Sequence, residues 1–148
     1  MRFELIQQNG SLRTFALDFA TGDEVVALVK QFVAAQQIFA AEITALGGLS
    51  AVTLLCFDPG KGDYVPTTIQ APLELAMLMG QVGRPPTGGD AMVHMHAVVA
   101  KVDATASAGH LGSATVRPIV QMIITEVGQQ LLKAMNAKTA FMVGRSAK

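Results

Sequence analysis

The stretch Ala91-Met92-Val93-His94-Met95-His96-Ala97-Val98-Val99-Ala100-Lys101-Val102 decides how this chain is read. Its apolar run predicts a β-strand, and side chains along a strand alternate faces, so residues two apart project from the same side. His94 and His96 are therefore expected on one face, with Val93, Met95 and Ala97 packed into a core. The connection through Asp103, Ala104 and Thr105 turns the chain back into a second strand, which would bring His110, in Ala108-Gly109-His110-Leu111-Gly112, alongside the pair. The chain has three histidines, and all fall in this region. A bare His-x-His recurs by chance, so the third histidine is what raises the signal. Three convergent imidazoles suit a zinc-like divalent cation with at least one open position.

Working outward, the same strand pattern recurs along the chain. Arg2 to Gln7 and Ser11 to Phe19 read as strands joined at Gln8-Asn9-Gly10, because Asn-Gly supplies the positive φ of a tight hairpin. Thr21-Gly22-Asp23-Glu24 then opens a helix, with Thr21 as cap, Glu24 completing a capping box, and Val25, Leu28, Val29, Phe32 and Val33 at helical spacing. Ile38 to Leu46 and Ala51 to Phe57 follow as strands parted by Gly47-Gly48, with a turn-rich loop over Asp58 to Asp63. Tyr64 to Gln70, Leu73 to Met79, Gly109 to Val116 and Ile119 to Val127 continue the series, and Gly80 to Asp90 reads as a loop. Gln129 to Met135 is amphipathic and expected as a second helix, and residues 144–148 as a frayed tail. The expectation is a single α+β domain (α/β in the broad sense), a mainly antiparallel sheet with flanking helices.

Composition narrows the function. At 148 residues the chain can bury one good core without staples. Hydrophobic residues make up 51% and charged ones 15%, which leaves little charge to cover an isolated monomer, so a further subunit is expected to cover apolar surface. Eleven basic residues are matched by eleven acidic ones, so no global field attracts nucleic acid or anionic lipid. Glu4 interrupts any apolar signal core in Met1-Arg2-Phe3-Glu4-Leu5, and no stretch has membrane-span character, so the expected location is cytoplasmic. Cys56 permits no internal disulfide and reads as a small buried hydrophobe rather than a nucleophile.

Other chemistry is sparse. Gly83-Arg84-Pro85-Pro86 looks superficially like the Arg-Gly-Arg-Pro core of an AT-hook, but Val82 stands where the first arginine would be and the flanks are not basic, so a proline turn is the better reading. Glu42, Glu74 and Glu126 are the acids in strand-like segments, each expected at an edge, interface or solvent-facing position. Glu42 and Glu126 are the catalytic candidates, because metal-assisted chemistry needs an acid or base within reach.

The order of Gly22-Asp23-Glu24-Val25-Val26, Ala45-Leu46-Gly47-Gly48-Leu49-Ser50-Ala51-Val52-Thr53-Leu54, Phe57-Asp58-Pro59, Leu73-Glu74-Leu75, Val93-His94-Met95-His96-Ala97, Gly109-His110-Leu111 and Ala114-Thr115-Val116 resembles the PPC (plants and prokaryotes conserved) domain. The resemblance runs from about residue 2 to 127 and implies a homotrimer, with His94, His96 and His110 in the family's three-histidine position, a metal site near the subunit contacts. In plants the domain accompanies AT-hooks in nuclear DNA-binding proteins, where a Gly-Arg-Phe-Glu-Ile-Leu segment serves partner binding. This chain has Ala71-Pro72-Leu73-Glu74-Leu75-Ala76 there, without the arginine, so that role is not carried over. The histidine arrangement is also similar to the zinc site of acetolactate decarboxylase.

Three functions follow. The first is a homotrimeric PPC-domain protein that binds a divalent metal, zinc by expectation, through His94, His96 and His110, with a binding or regulatory role. The second is a metal-dependent lyase or hydrolase on a small oxo-acid, whose carboxylate Arg84 or Arg117 would pair. The third is a DNA-associated regulator, which the neutral charge and missing hook oppose; tight DNA binding by the chain alone is not expected.

Overall fold

The computed structural model describes residues 1–84 and 89–127, and the backbone of two short strands at 131–135 and 142–146. The elements run β1 (Arg2–Asn9), β2 (Leu12–Ala20), α1 (Val25–Ala35), β3 (Ala41–Asp58), β4 (Asp63–Gly83), β5 (Met92–Ala100), β6 (Ala106–Glu126), β7 (Leu131–Met135) and β8 (Met142–Ser146). One antiparallel sheet has the order β1-β2-β6-β3-β4-β5, and β5 also pairs with β6. Strands β3, β4, β5 and β6 thus close into a ring, which pairs the edge of β5 and leaves β1 as the outer strand. The domain is mainly antiparallel sheet, as expected, with one helix among the described residues.

The first hairpin turns over Gly10 and Ser11, one residue later than expected, because Asn9 already pairs with Leu12 and only Gly10 of the turn has positive φ, at 61°. The helix begins at Val25 with Glu24, not Thr21, as its cap. Glu24 accepts hydrogen bonds from the Val26 and Ala27 N–H groups, and also from Ala114 N–H on β6 at 2.9 Å. Thr21 instead donates its hydroxyl to the Pro118 carbonyl. Val25, Val29, Phe32 and Val33 give α1 one apolar face, and that face is buried against the sheet with Phe15, Leu17 and Phe19.

Each strand expected as two pieces is continuous. β3 runs through Gly47-Gly48, β4 through Pro72 and β6 through Pro118. The breakers sit in bulges: the register with β4 slips between Leu49 and Ala51, opposite Pro72, and the register with β6 slips between Gly47 and Leu49, opposite Pro118, which lets a strand pass a proline and resume its pairing. At Gly47, with φ 151°, an added Cβ would lie 2.3 Å from the Ile119 carbonyl oxygen, so the close approach of β3 to β6 requires glycine.

Two further expectations are corrected. The segment expected as a second helix holds strand β7, paired antiparallel with β8, which covers most of the stretch read as a frayed tail. Seven residues make a poor helix nucleus, and the ladder offers the same backbone groups a partner. Cys56 is exposed, not buried. Its neighbour Leu55 is the last β3 residue that pairs with β6, and Cys56 lies on the arm where β3 pairs with β4 alone, past the core that ends at Leu54.

Candidate metal centre

Strand β5 presents its side chains as the alternation requires. Met95 and Ala97 are buried and Val93 packs against the core, while His94 and His96 project from the other face. β5 pairs on one side with β4, where Gln81 stands opposite His94 and Met79 opposite His96. On its other side His96 stands opposite His110 of β6. Gly80 lets β4 come this close, because a Cβ there would lie 2.6 Å from Met95 Cγ and 2.8 Å from the His94 carbonyl oxygen.

The three imidazoles converge. One ligand atom from each of His94, His96 and His110 lies within 4.8 Å of the other two, and the Nε2 atoms of His94 and His96 are 3.2 Å apart. Ring centroids are separated by 5.0 Å (His94–His96), 4.8 Å (His94–His110) and 5.5 Å (His96–His110). His110 Nδ1 is buried and has no hydrogen-bond partner. A buried polar atom without a partner is costly, and a metal ion is one group that satisfies it. Burial, then the charges of His96 and Lys30, holds the His110 imidazole below its ordinary pKa. That keeps its lone pair available at neutral pH, as a ligand must be. The donor set fits a borderline-soft divalent cation.

A cleft of about 290 Å³ opens beside the histidines, lined by Glu42, Thr44, Met79 and Gln81 together with His94 and His96. Glu42, Gln81 and His94 are register partners across β3, β4 and β5, and so share one face. Thr44 and Gln81 were not singled out from the sequence. Gln81 lay inside a stretch read as loop, and only the pairing of Thr44 with Met79 reveals its place.

The other candidates lie elsewhere. Glu126 forms a two-pronged ion pair with Arg13, whose Nε and Nη2 donate to its two oxygens at 2.7 Å, and it does not line the cleft. Arg84 stacks 4.6 Å from the Phe39 ring centroid and donates to the Gly89 carbonyl. Arg117 lines a separate cleft with Lys101 and Glu74. Neither arginine reaches the histidines' cleft. On its other flank the site borders an apolar groove of about 580 Å³ that includes Leu46, Met77, Met79 and Ile123, with Leu46 61% and Met79 58% exposed.

The sequence model of the Plants and Prokaryotes Conserved (PCC) domain matches residues 6–128. No curated protein matches the chain in sequence. Solved structures similar to this one include a metal-containing protein from Archaeoglobus fulgidus, 25% identical, with 97% of this chain and 96% of that one covered at a TM-score of 0.76. A PPC protein from Pyrococcus horikoshii is 21% identical over 96% and 99%, with a TM-score of 0.79. A candidate DNA-binding protein from Bacteroides thetaiotaomicron is 20% identical over 97% and 96%, with a TM-score of 0.80. The last two likenesses establish the fold alone.

Proposed function

This chain belongs to the Plants and Prokaryotes Conserved domain family, and we propose that it is a homotrimeric protein that binds one divalent cation, zinc in the first instance, through His94, His96 and His110. The observation that carries the reading is the convergence of three imidazoles, one of which, His110, keeps a buried Nδ1 without a hydrogen-bond partner. The similar Archaeoglobus fulgidus protein, described as metal-containing, supports it. Bound there, the cation would supply an open coordination position for a small ligand. The task is binding or regulation, in the cytoplasm, where a chain with one cysteine is at ease.

The apolar groove beside the site supports the trimer. Leu46, Met77, Met79 and Ile123 form a patch that a monomer would have to leave wet, and a second copy of the chain would cover it. Protein purified without chelator should hold about one metal per chain by elemental analysis and scatter light as a trimer. Metal-free protein that takes up no zinc on reconstitution overturns the metal reading, and a stable monomer at micromolar concentration overturns the trimer.

A second reading, a metal-dependent lyase or hydrolase acting on a small oxo-acid, is favoured by one observation: the Glu42 carboxylate lines the same cleft as the histidines. The positions of Arg84 and Arg117 weigh against an oxo-acid, whose carboxylate would find no cation among the described residues of that cleft. Regulation through DNA has less support, since likeness at 20% identity speaks for fold alone.

A further inference from the structure

We infer that the histidines' cleft selects small ligands that carry a hydrogen-bond-donating cationic group, an amine, at the end remote from the metal, with Glu42 as the residue that receives it. The inference rests on the metal reading above and adds the chemical class of the ligand. The described lining contains one formal charge apart from the imidazoles, the Glu42 carboxylate, flanked by the Thr44 hydroxyl and the Gln81 amide, and no lysine or arginine. A bound cation supplies positive charge at the histidine end of the cleft. A ligand that bridges the two ends therefore needs an electron-pair donor for the metal and a proton donor for Glu42.

Spacing sets the length. Glu42 and His94 are register partners of the same Gln81, on strands two apart. Neighbouring strands lie about 4.8 Å apart, which separates the two backbones by roughly 10 Å. Side chains from both ends fill part of that distance, and a two-carbon amine fills what remains once its head is on the metal. A cleft of about 290 Å³ restricts the ligand to a small molecule, and a bulkier one would extend into the adjoining apolar groove. An anionic tail of the same length would meet the Glu42 carboxylate and be repelled, so the preference is one of sign.

The test uses the full chain reconstituted with cobalt(II), whose thiolate charge-transfer absorption reports ligands entering the open position. Three thiols of similar length are titrated: cysteamine (2-aminoethanethiol), propane-1-thiol and 3-mercaptopropionate. Comparing wild type with Glu42→Gln for each thiol cancels differences in thiol acidity. The expected result is that the affinity ratio of cysteamine to 3-mercaptopropionate falls about threefold in Glu42→Gln, the scale of a solvent-accessible ion pair, while cobalt stoichiometry is unchanged. An unchanged ratio overturns the inference and leaves the metal reading standing. Cobalt bound with no thiolate band from any of the three also overturns it, because the site is then closed. Failure to bind cobalt at all overturns both.

Discussion

His96 on β5 stands directly across the ladder from His110 on β6. That pairing exists because β5 is shared, its one edge hydrogen-bonded to β4 and its other to β6. The backbone ladder therefore fixes the spacing of the imidazoles before any ligand arrives, and little ordering is left to be done at the moment of binding. Replacing His110 by alanine removes one ligand from a preorganised set and should lower metal retention at least tenfold, the scale on which even supporting contacts of a metal site act, about 10 to 100-fold. Elemental analysis after dialysis reads it. Metal content unchanged in His94→Ala/His96→Ala would count decisively against the site.

Glu126 gives a pH prediction. Its hydrogen bonds from Arg13 hold the carboxyl below the usual carboxylate range. A depressed folded pKa means that the unfolded chain binds the proton more readily, so the pair's contribution is full above the unfolded pKa and is lost as pH falls through the folded value. Glu126→Ala strands a partly buried Arg13, which also donates to the Gln36 carbonyl at the end of α1. It should cost about 1 to 3 kcal/mol at pH 7. Urea midpoints measured between pH 7 and pH 3 should show the variant losing less stability in acid than the wild type; parallel curves would contradict the assignment.

Glu24 joins helix to sheet through three backbone N–H groups, those of Val26, Ala27 and Ala114. Glu24→Ala removes the cap, about 0.5 to 2 kcal/mol, and leaves the Ala114 N–H without its carboxylate, a further ~1 kcal/mol or more. Glu24→Gln keeps acceptor geometry on one oxygen and should recover part of the loss. Equal stability of the alanine and glutamine variants in urea would show that the bond to β6 is immaterial.

The histidine face was legible because period-two alternation needs no knowledge of partners: Met95 and Ala97 inward force His94 and His96 outward. What the alternation does not reveal is the neighbour. Arg13 and Glu126 are 113 residues apart and meet only because β2 pairs with β6, a non-local fact with no local signature. The same holds for Glu24, whose acceptor oxygens serve a donor on β6 as well as its own helix, so a local capping rule centred on Thr21 missed the arrangement. Glycine and proline misled for a related reason. Gly47, Pro72 and Pro118 are breakers by intrinsic preference, yet the ladder absorbs each in a bulge, and tertiary pairing outweighs propensity. Of the two catalytic candidates, Glu42 lies in the cleft and Glu126 does not, a difference set by the β3–β6 register, which pairs Glu42 with Thr125 and Glu126 with the buried Ala41.

The last prediction concerns nucleic acid. Duplex binding driven by phosphate contacts needs several basic side chains clustered on one surface, each neutralised phosphate adding to a salt-dependent affinity. Among the described residues Arg2 is engaged with Asp18, Arg13 with Glu126, Lys61 with Asp58 and Arg84 with the Phe39 ring, and Lys101 and Arg117 share a cleft with Glu74, so they make a pair and not a basic surface. Lys133, Lys138, Arg145 and Lys148 all follow the final acid, Glu126, and their side chains lie outside the described residues. A trimer would bring three such tails together, and that is the physical route to a basic surface. The expected outcome is weak binding to a fluorescent duplex near physiological salt, with little change on removal of residues 128–148. Submicromolar affinity at that salt, lost with the tail, would overturn it and move regulation through DNA ahead of the enzyme reading.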